Sequence, residues 1–169
     1  IPAADSSEVG MFTQFFADIG DSQSLAGALS TFSAHLRNLK EMLELGDERS
    51  LVLADEIGSA TDPEQGSALA QAMLERLVQR RVVGLVTTHY TALKVFAEQT
   101  AACVNASMHF DPERHTPTYQ FTLGLPGNSF AIDVARHLGL DDELVERARA
   151  LAGAQSVELT DLLGKLGRE

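Results

Sequence analysis

Residues 51–63 read "LVLADEIGSATDP". Four apolar residues, Leu51 to Ala54, run straight into two adjacent carboxylates, Asp55 and Glu56. A short unbroken apolar run bounded by turn residues predicts a strand covered on both faces of a sheet. Unpaired charge at the end of such a strand is costly, so something must neutralise the two carboxylates. Downstream, Asp62-Pro63-Glu64-Gln65 predicts a helix start, with Asp62 as N-cap, Pro63 at the first helical position and Gln65 at N3. The helix should run to about Gln79 and bury Leu69, Met73 and Leu77. A second apolar run, "RVVGLVTTH" at 81–89, predicts another buried strand that ends in polar residues. The connection between the two strands suits a right-handed βαβ crossover, which leaves them parallel.

The rest of the chain extends this α/β plan. "FTQFFAD" at 12–18 predicts a strand, and "QSLAGALSTFSAHLRNLKEMLELG" at 23–46 a helix. Leu29, Phe32, Leu36, Leu39 and Leu43 fall at helical spacing there, and Gly46 is the stop. Residues 91–98 predict a short helix. "CVNASMHFD" and "TYQFTLG" predict antiparallel strands around the turn "PERHTP", forming an antiparallel edge to a mainly parallel sheet. Ser129 to His137 and Asp141 to Leu151 predict two helices joined at "LGL".

Composition narrows the classes. Hydrophobic content of 44% fits a soluble globular protein, and no apolar run approaches the roughly 20 residues of a membrane span, so no membrane partner is expected. The chain opens Ile1-Pro2-Ala3 with no secretory signal, and it is expected to be a piece of a longer polypeptide. The single Cys103 cannot form an internal disulfide and fits a small core residue in a reducing cytoplasm. A net charge of −11 repels phosphate backbones, so any DNA is expected to be held mainly by other parts of a larger protein.

The chemistry lies at the strand ends. Ligands of parallel sheets bind at the C-terminal edge, where Asp55-Glu56 and Thr87-Thr88-His89 should both sit. Apolar residues followed by Asp-Glu form a Walker B pattern, whose bland counterpart is a helix cap or a solvated strand end. On the catalytic reading Asp55 holds Mg²⁺ through its water shell, and Glu56 positions and deprotonates the attacking water. His89 donates to the γ-phosphate of ATP. Only Lys40, Lys94 and Lys165 occur, and none stands in a G-x-x-x-x-G-K-[ST] loop. The phosphate-cradling loop is therefore expected upstream of Ile1, and the chain alone should bind ATP poorly and be inactive. His35, His109, His115 and His137 show no ligand spacing and are expected to be structural.

"DIGDSQSLAGALSTFSAHL", "LVLADEIGSATDPEQGSALA", "TTHY" and "YQFTLGLPGNSFAIDVARHLGL" occur in an order and spacing that resembles the MutS-type ATPase domain, within the ABC superfamily. "DIGDSQS", "LSTFSAH" and "GSATDP" are similar to its second bacterial branch. The resemblance implies a partial P-loop NTPase domain of ABC type with a C-terminal helix-turn-helix. Residues 1–127 would be the C-terminal half of the ATPase domain, 128–152 a dimerisation element, and 153–169 a following helix or linker. The family completes its nucleotide sites in trans, so Ser30 and Thr31 would contact the γ-phosphate held by a second copy, and Asp62 would lie on the loop coupling the two sites. Gly58-Ser59-Ala60 departs from the usual small-residue stretch, which puts the details of that coupling in question. The branch is associated with clamping of branched DNA to suppress recombination and with collided ribosomes. Its usual C-terminal nuclease domain is not expected in this chain.

The two C-terminal helices also admit a DNA-reading helix-turn-helix. The second begins Asp141-Asp142-Glu143, which would repel a groove. Partner packing through Ile132, Ala135, Leu138, Leu144, Ala148 and Leu151 is the expected role. Two alternatives to the main reading are another ABC-type chromosome-maintenance ATPase, against which "ALSTFSAH" speaks, and a dimerisation module without hydrolysis.

Overall fold

The computed structural model describes residues 5–8, 10–19, 28–59, 61–111, 114, 116–127 and 129–153, with backbone alone at 28–32. The element order is β1 (Gln14–Asp18), α1 (Ala28–Leu45), β2 (Ser50–Ala54), α2 (Pro63–Gln79), β3 (Val83–Val86), α3 (Thr91–Gln99), β4 (Ala106–Asp111), β5 (Thr116–Leu123) and α4 (Ala131–His137). A further helix, α5, covers 142–153. Residues 1–104 and 105–169 form two compact units.

In the first unit β1, β2 and β3 pair in that order, all parallel, with Asp18 level with Ala54 and Ala54 level with Val86. The α/β class and the parallel sheet are as expected. Leu39 and Met42 of α1, Val52 and Ala54 of β2, Ile57, Ala70, Met73 and Leu77 of α2 and Leu93 of α3 close into one buried cluster. Gly46 follows the end of α1, its N–H donating to the Met42 carbonyl at 2.9 Å. Arg80 ties this end to α2, its guanidinium donating to the carbonyls of Gly46 at 2.6 Å and Leu43 at 3.2 Å. Leu43 belongs to the last turn of α1, whose carbonyls have no partner within the helix.

Three expectations about burial need correction. The apolar face of α2 runs through Gly66, Ala70, Met73 and Leu77, and Leu69 is 36% exposed. The stripe is rotated because Gly66 and Ala70 are small enough for the loop after β2 to lie against them. The strand at 81–89 is not buried: Val83 is 47% and Leu85 55% exposed, because β3 is the sheet's edge and no strand among the described residues pairs with its outer side. Cys103 is half-buried rather than core, and burial pushes its thiol pKa up.

A polar turn leads into β2. The buried Ser50 hydroxyl donates to Asp47 Oδ1 at 2.8 Å, and the Arg49 N–H reaches the same oxygen at 2.9 Å. These bonds, the Ser50 hydroxyl first, hold the Asp47 carboxyl below its ordinary value. A depressed carboxyl stabilises the fold above the unfolded value of about 3.9 and loses that contribution as pH falls through the lower folded value. The stability gap between the unchanged protein and Asp47→Asn should therefore narrow as pH drops from about 5 to 3 in thermal melts. A gap independent of pH would contradict the assignment.

In the second unit β4 and β5 pair antiparallel, with an irregularity between Met108 and Phe110. They form a two-stranded sheet of their own rather than an edge of the parallel one. At the bulge the Thr118 hydroxyl donates to the His109 carbonyl at 3.0 Å. Phe110 stacks on Phe130 with centroids 4.7 Å apart. α5 starts one residue later than expected because Asp141 caps it, accepting from the N–H groups of Glu143 at 3.1 Å and Leu144 at 3.2 Å. Arg136 with Asp142 and Glu146, and Arg149 with Asp133, tie α4 to α5. Val145 is buried, while Leu138, Leu144 and Leu151 stay exposed. His115 and the tail from 154 lie outside the described residues.

Candidate functional site

Parallel pairing in the order β1-β2-β3 brings the C-terminal ends of all three strands to one edge. Asp55 and Glu56 follow β2, and Thr87 to His89 follow the adjacent β3, so residues more than 30 apart in sequence share that edge. The ladder continues past the strands: the Asp55 N–H donates to the Asp18 carbonyl at 2.8 Å and the Thr87 N–H to the Ala54 carbonyl at 2.9 Å.

Thr87 joins the two strand ends. Its hydroxyl donates to Asp55 Oδ1 in a short hydrogen bond and accepts the Glu56 N–H at 2.8 Å. Its carbonyl accepts the Ile57 N–H at 3.2 Å. Asp55 is oriented through its side chain and Glu56 through its backbone, and both side chains remain exposed. Glu56 has φ of 47°, in the left-handed region that non-glycine residues rarely adopt. Such strain persists only where the surroundings over-determine it, and it gathers at functional sites.

The loop after Glu56 is clamped. Gly58 has φ of 81°, and a Cβ placed on Gly66 would lie 2.3 Å from the Gly58 carbonyl oxygen and 2.8 Å from Tyr90 Oη. The Tyr90 hydroxyl donates to that same Gly58 carbonyl at 2.9 Å. Its ring packs on His89 with centroids 4.5 Å apart. One tyrosine thus fixes both the loop after the carboxylates and the residue ahead of α3. Asp62 caps α2, accepting the Gln65 N–H at 3.0 Å with Pro63 following it, as expected. A narrow cleft beside Glu56 is lined by Asp18, His35, Leu36, Ile57, Gly58 and Leu69.

Residues 1–155 match the family described as MutS domain V. The chain belongs to the MutS domain V family. Its curated relatives include three proteins named "Endonuclease MutS2". That of Thermus thermophilus is 52% identical over 149 residues, 88% of this chain and 20% of the relative. Those of Thermomicrobium roseum and Geobacillus thermodenitrificans are 49% and 46% identical, each over 168 residues, 99% of this chain and 21% of the relative. This MutS domain V chain therefore spans about a fifth of the length of the relatives it matches.

The structure brings Asp55, Glu56 and His89 to one edge, and Asp62 to the loop that follows it. Ser30 and Thr31 fall near the start of α1, with side chains outside the described residues. Sequence reading gave no role to the Thr87 hydroxyl, to Tyr90 or to the pair Asp18 and His35. For Thr87 and Tyr90 the signal was present in "TTHY", a polar cluster directly after an apolar strand. Asp18 and His35 carried none. Among the described residues no helix is long and apolar enough to cross a membrane.

Proposed function

We propose that this chain is the C-terminal half of an ATP-hydrolysing domain of the second bacterial MutS branch. Residues 1–127 belong to the ATPase and 128–152 form a dimerisation element. In the whole protein, ATP binding and hydrolysis between two copies drive the clamping and release of branched DNA or of stalled ribosomes, held mainly by other segments. The protein works in the cytoplasm.

One observation supports this reading most: the adjacent carboxylates Asp55 and Glu56, which follow an apolar strand as a Walker B pair would, are held by a threonine hydroxyl from the neighbouring strand end. A cluster of three or more His, Cys, Asp or Glu arranged to hold a metal is not found among the described residues. A lone oriented carboxylate nevertheless fits Mg²⁺, which takes one or two carboxylates and fills its shell with water and phosphate oxygens. Asp55 would hold the ion, whose chemistry there is to offset charge on the phosphate oxygens.

The chain's own residues do the rest. Glu56, aimed by its strained backbone, orients the attacking water and takes its proton. His89 donates to the γ-phosphate, held in place by the Tyr90 ring. Ser30 and Thr31 present the start of α1, with its free N–H groups and positive dipole end, to the γ-phosphate bound by the other copy. The exposed Leu138, Leu144 and Leu151 of the helix pair are the dimer contacts. "ALSTFSAH", without an LSGGQ-like signature, favours the MutS branch over another ABC-type ATPase.

The test is steady-state ATP turnover by the full-length protein that contains this chain. Thr87→Val removes the hydroxyl and keeps the shape, which should lower kcat about tenfold, since hydrogen bonds to charged groups are worth roughly 1.5–3 kcal/mol. Kd for ATP should hold within about twofold. Unchanged kcat would reject the bridge as the organising contact. No Mg²⁺-dependent turnover in the unchanged protein would favour the dimerisation module.

A further inference from the structure

We propose that Asp18, His35 and Asn38 form a joint that couples the seating of α1 to the hydrolytic strand end, acting as positioning residues rather than nucleotide contacts. The proposal rests on the reading of Asp55 and Glu56 given above. Asp18 closes β1 and is the only buried charged residue among the described residues, 7% exposed. A carboxylate taken out of water must be paired or hydrogen-bonded.

Both partners come from α1. His35 Nδ1 donates to Oδ2 at 2.7 Å and Asn38 Nδ2 to Oδ1 at 2.8 Å. Three residues apart, the two donors lie on one helix face. Each takes a different oxygen, so α1 is gripped at two points and cannot roll or slide without leaving a buried charge short of a partner.

The other end of the same residue holds the strand that carries the carboxylates. The Asp18 carbonyl accepts the Asp55 N–H at 2.8 Å. Asp18 and His35 also line the cleft that Glu56, Ile57 and Gly58 border. One residue therefore answers to α1 through its side chain and to Asp55 through its backbone. Near its other end α1 is tied by Arg80 to α2. A force on the first turn of α1, where Ser30 and Thr31 would meet the partner's nucleotide, is delivered to the Asp18 carboxylate and on to Asp55. Turnover in one copy then depends on engagement of the other, with no nucleotide contact by the joint itself.

The experiment uses the full-length protein and reads kcat and Kd for ATP per folded molecule. His35→Ala and Asn38→Ala are each expected to lower kcat about tenfold while Kd moves less than about twofold, the signature of a group that acts on the reacting state alone. His35→Asn keeps a donor at the position of Nδ1 and should recover kcat to within about threefold of the unchanged protein. The double variant His35→Ala/Asn38→Ala should be no slower than the slower single variant, because both remove one joint. Asn38 is exposed, so its substitution remains decisive even if His35→Ala does not fold. Unchanged kcat in Asn38→Ala and in any folded His35→Ala, alongside abolished turnover in Glu56→Ala, overturns the joint alone. Unchanged turnover in Glu56→Ala overturns the hydrolytic reading, and the joint with it.

Discussion

Replacing Glu56 with alanine in the full-length protein is expected to leave ATP binding within about twofold and to cut turnover at least 100-fold. Glu56 sits at the edge where the ends of β2 and β3 meet, with its N–H fixed by Thr87 and its side chain exposed. An exposed carboxylate on a strained residue contributes little to folding, so its loss should fall on the chemical step. Alanine tolerates the φ of 47° no worse than glutamate does, which keeps the backbone comparison fair. Glu56→Gln sharpens the result: it preserves size and hydrogen bonding but cannot take a proton, and should be as slow as the alanine variant. Equilibrium nucleotide binding together with single-turnover hydrolysis separates the two quantities. Full turnover in either variant would remove Glu56 from the reaction and leave the strain at this position without a function.

Gly66→Ala is expected to be the most damaging conservative change. On helix propensity alone it should stabilise α2 by about 1 kcal/mol. The added Cβ would instead lie 2.3 Å from the Gly58 carbonyl oxygen, a backbone atom that is also held by the Tyr90 hydroxyl. The loop must move, at a cost typical of overpacking, about 3 kcal/mol net. For a protein of this size that corresponds to roughly 10 °C in the melting midpoint. Gly58 follows Glu56 by two residues, so turnover should fall along with stability. Tyr90→Phe, which deletes the hydroxyl that pins the same carbonyl, should partly relieve the clash in the double variant. A midpoint unchanged or raised in Gly66→Ala would show that the close approach is not what the structure describes.

Much of this was legible from residues alone, for identifiable reasons. The break from "LVLA" to "DE" marks the end of β2, and Asp62-Pro63 marks the start of α2. Both signals are local, depending on strand periodicity and on the geometry of a helix's first turn. The edge position of β3 was not legible. An apolar run such as "VVGLV" reports a strand fit to be covered on both faces, but strand order decides which flank is paired. The rotated stripe of α2 was hidden because counting favours Leu69, whereas Gly66 and Ala70 matter for their lack of bulk. Asp18 and His35 lie 17 positions apart across a connection, and a single histidine on a helix reads the same whether or not a carboxylate waits beside it. The Thr87 bridge was half visible: the polar residues after β3 were plain, but which hydroxyl faced Asp55 followed only from the register.

The outer flank of β3 has a practical consequence. Among the described residues no strand pairs with that side, and the side chains of Val83 and Leu85 stand exposed beside it. An edge strand of this kind is a template for sticking together. Purified by itself, the 169-residue polypeptide should favour self-association at high concentration, and Leu85→Lys would be a sensible aid to handling it.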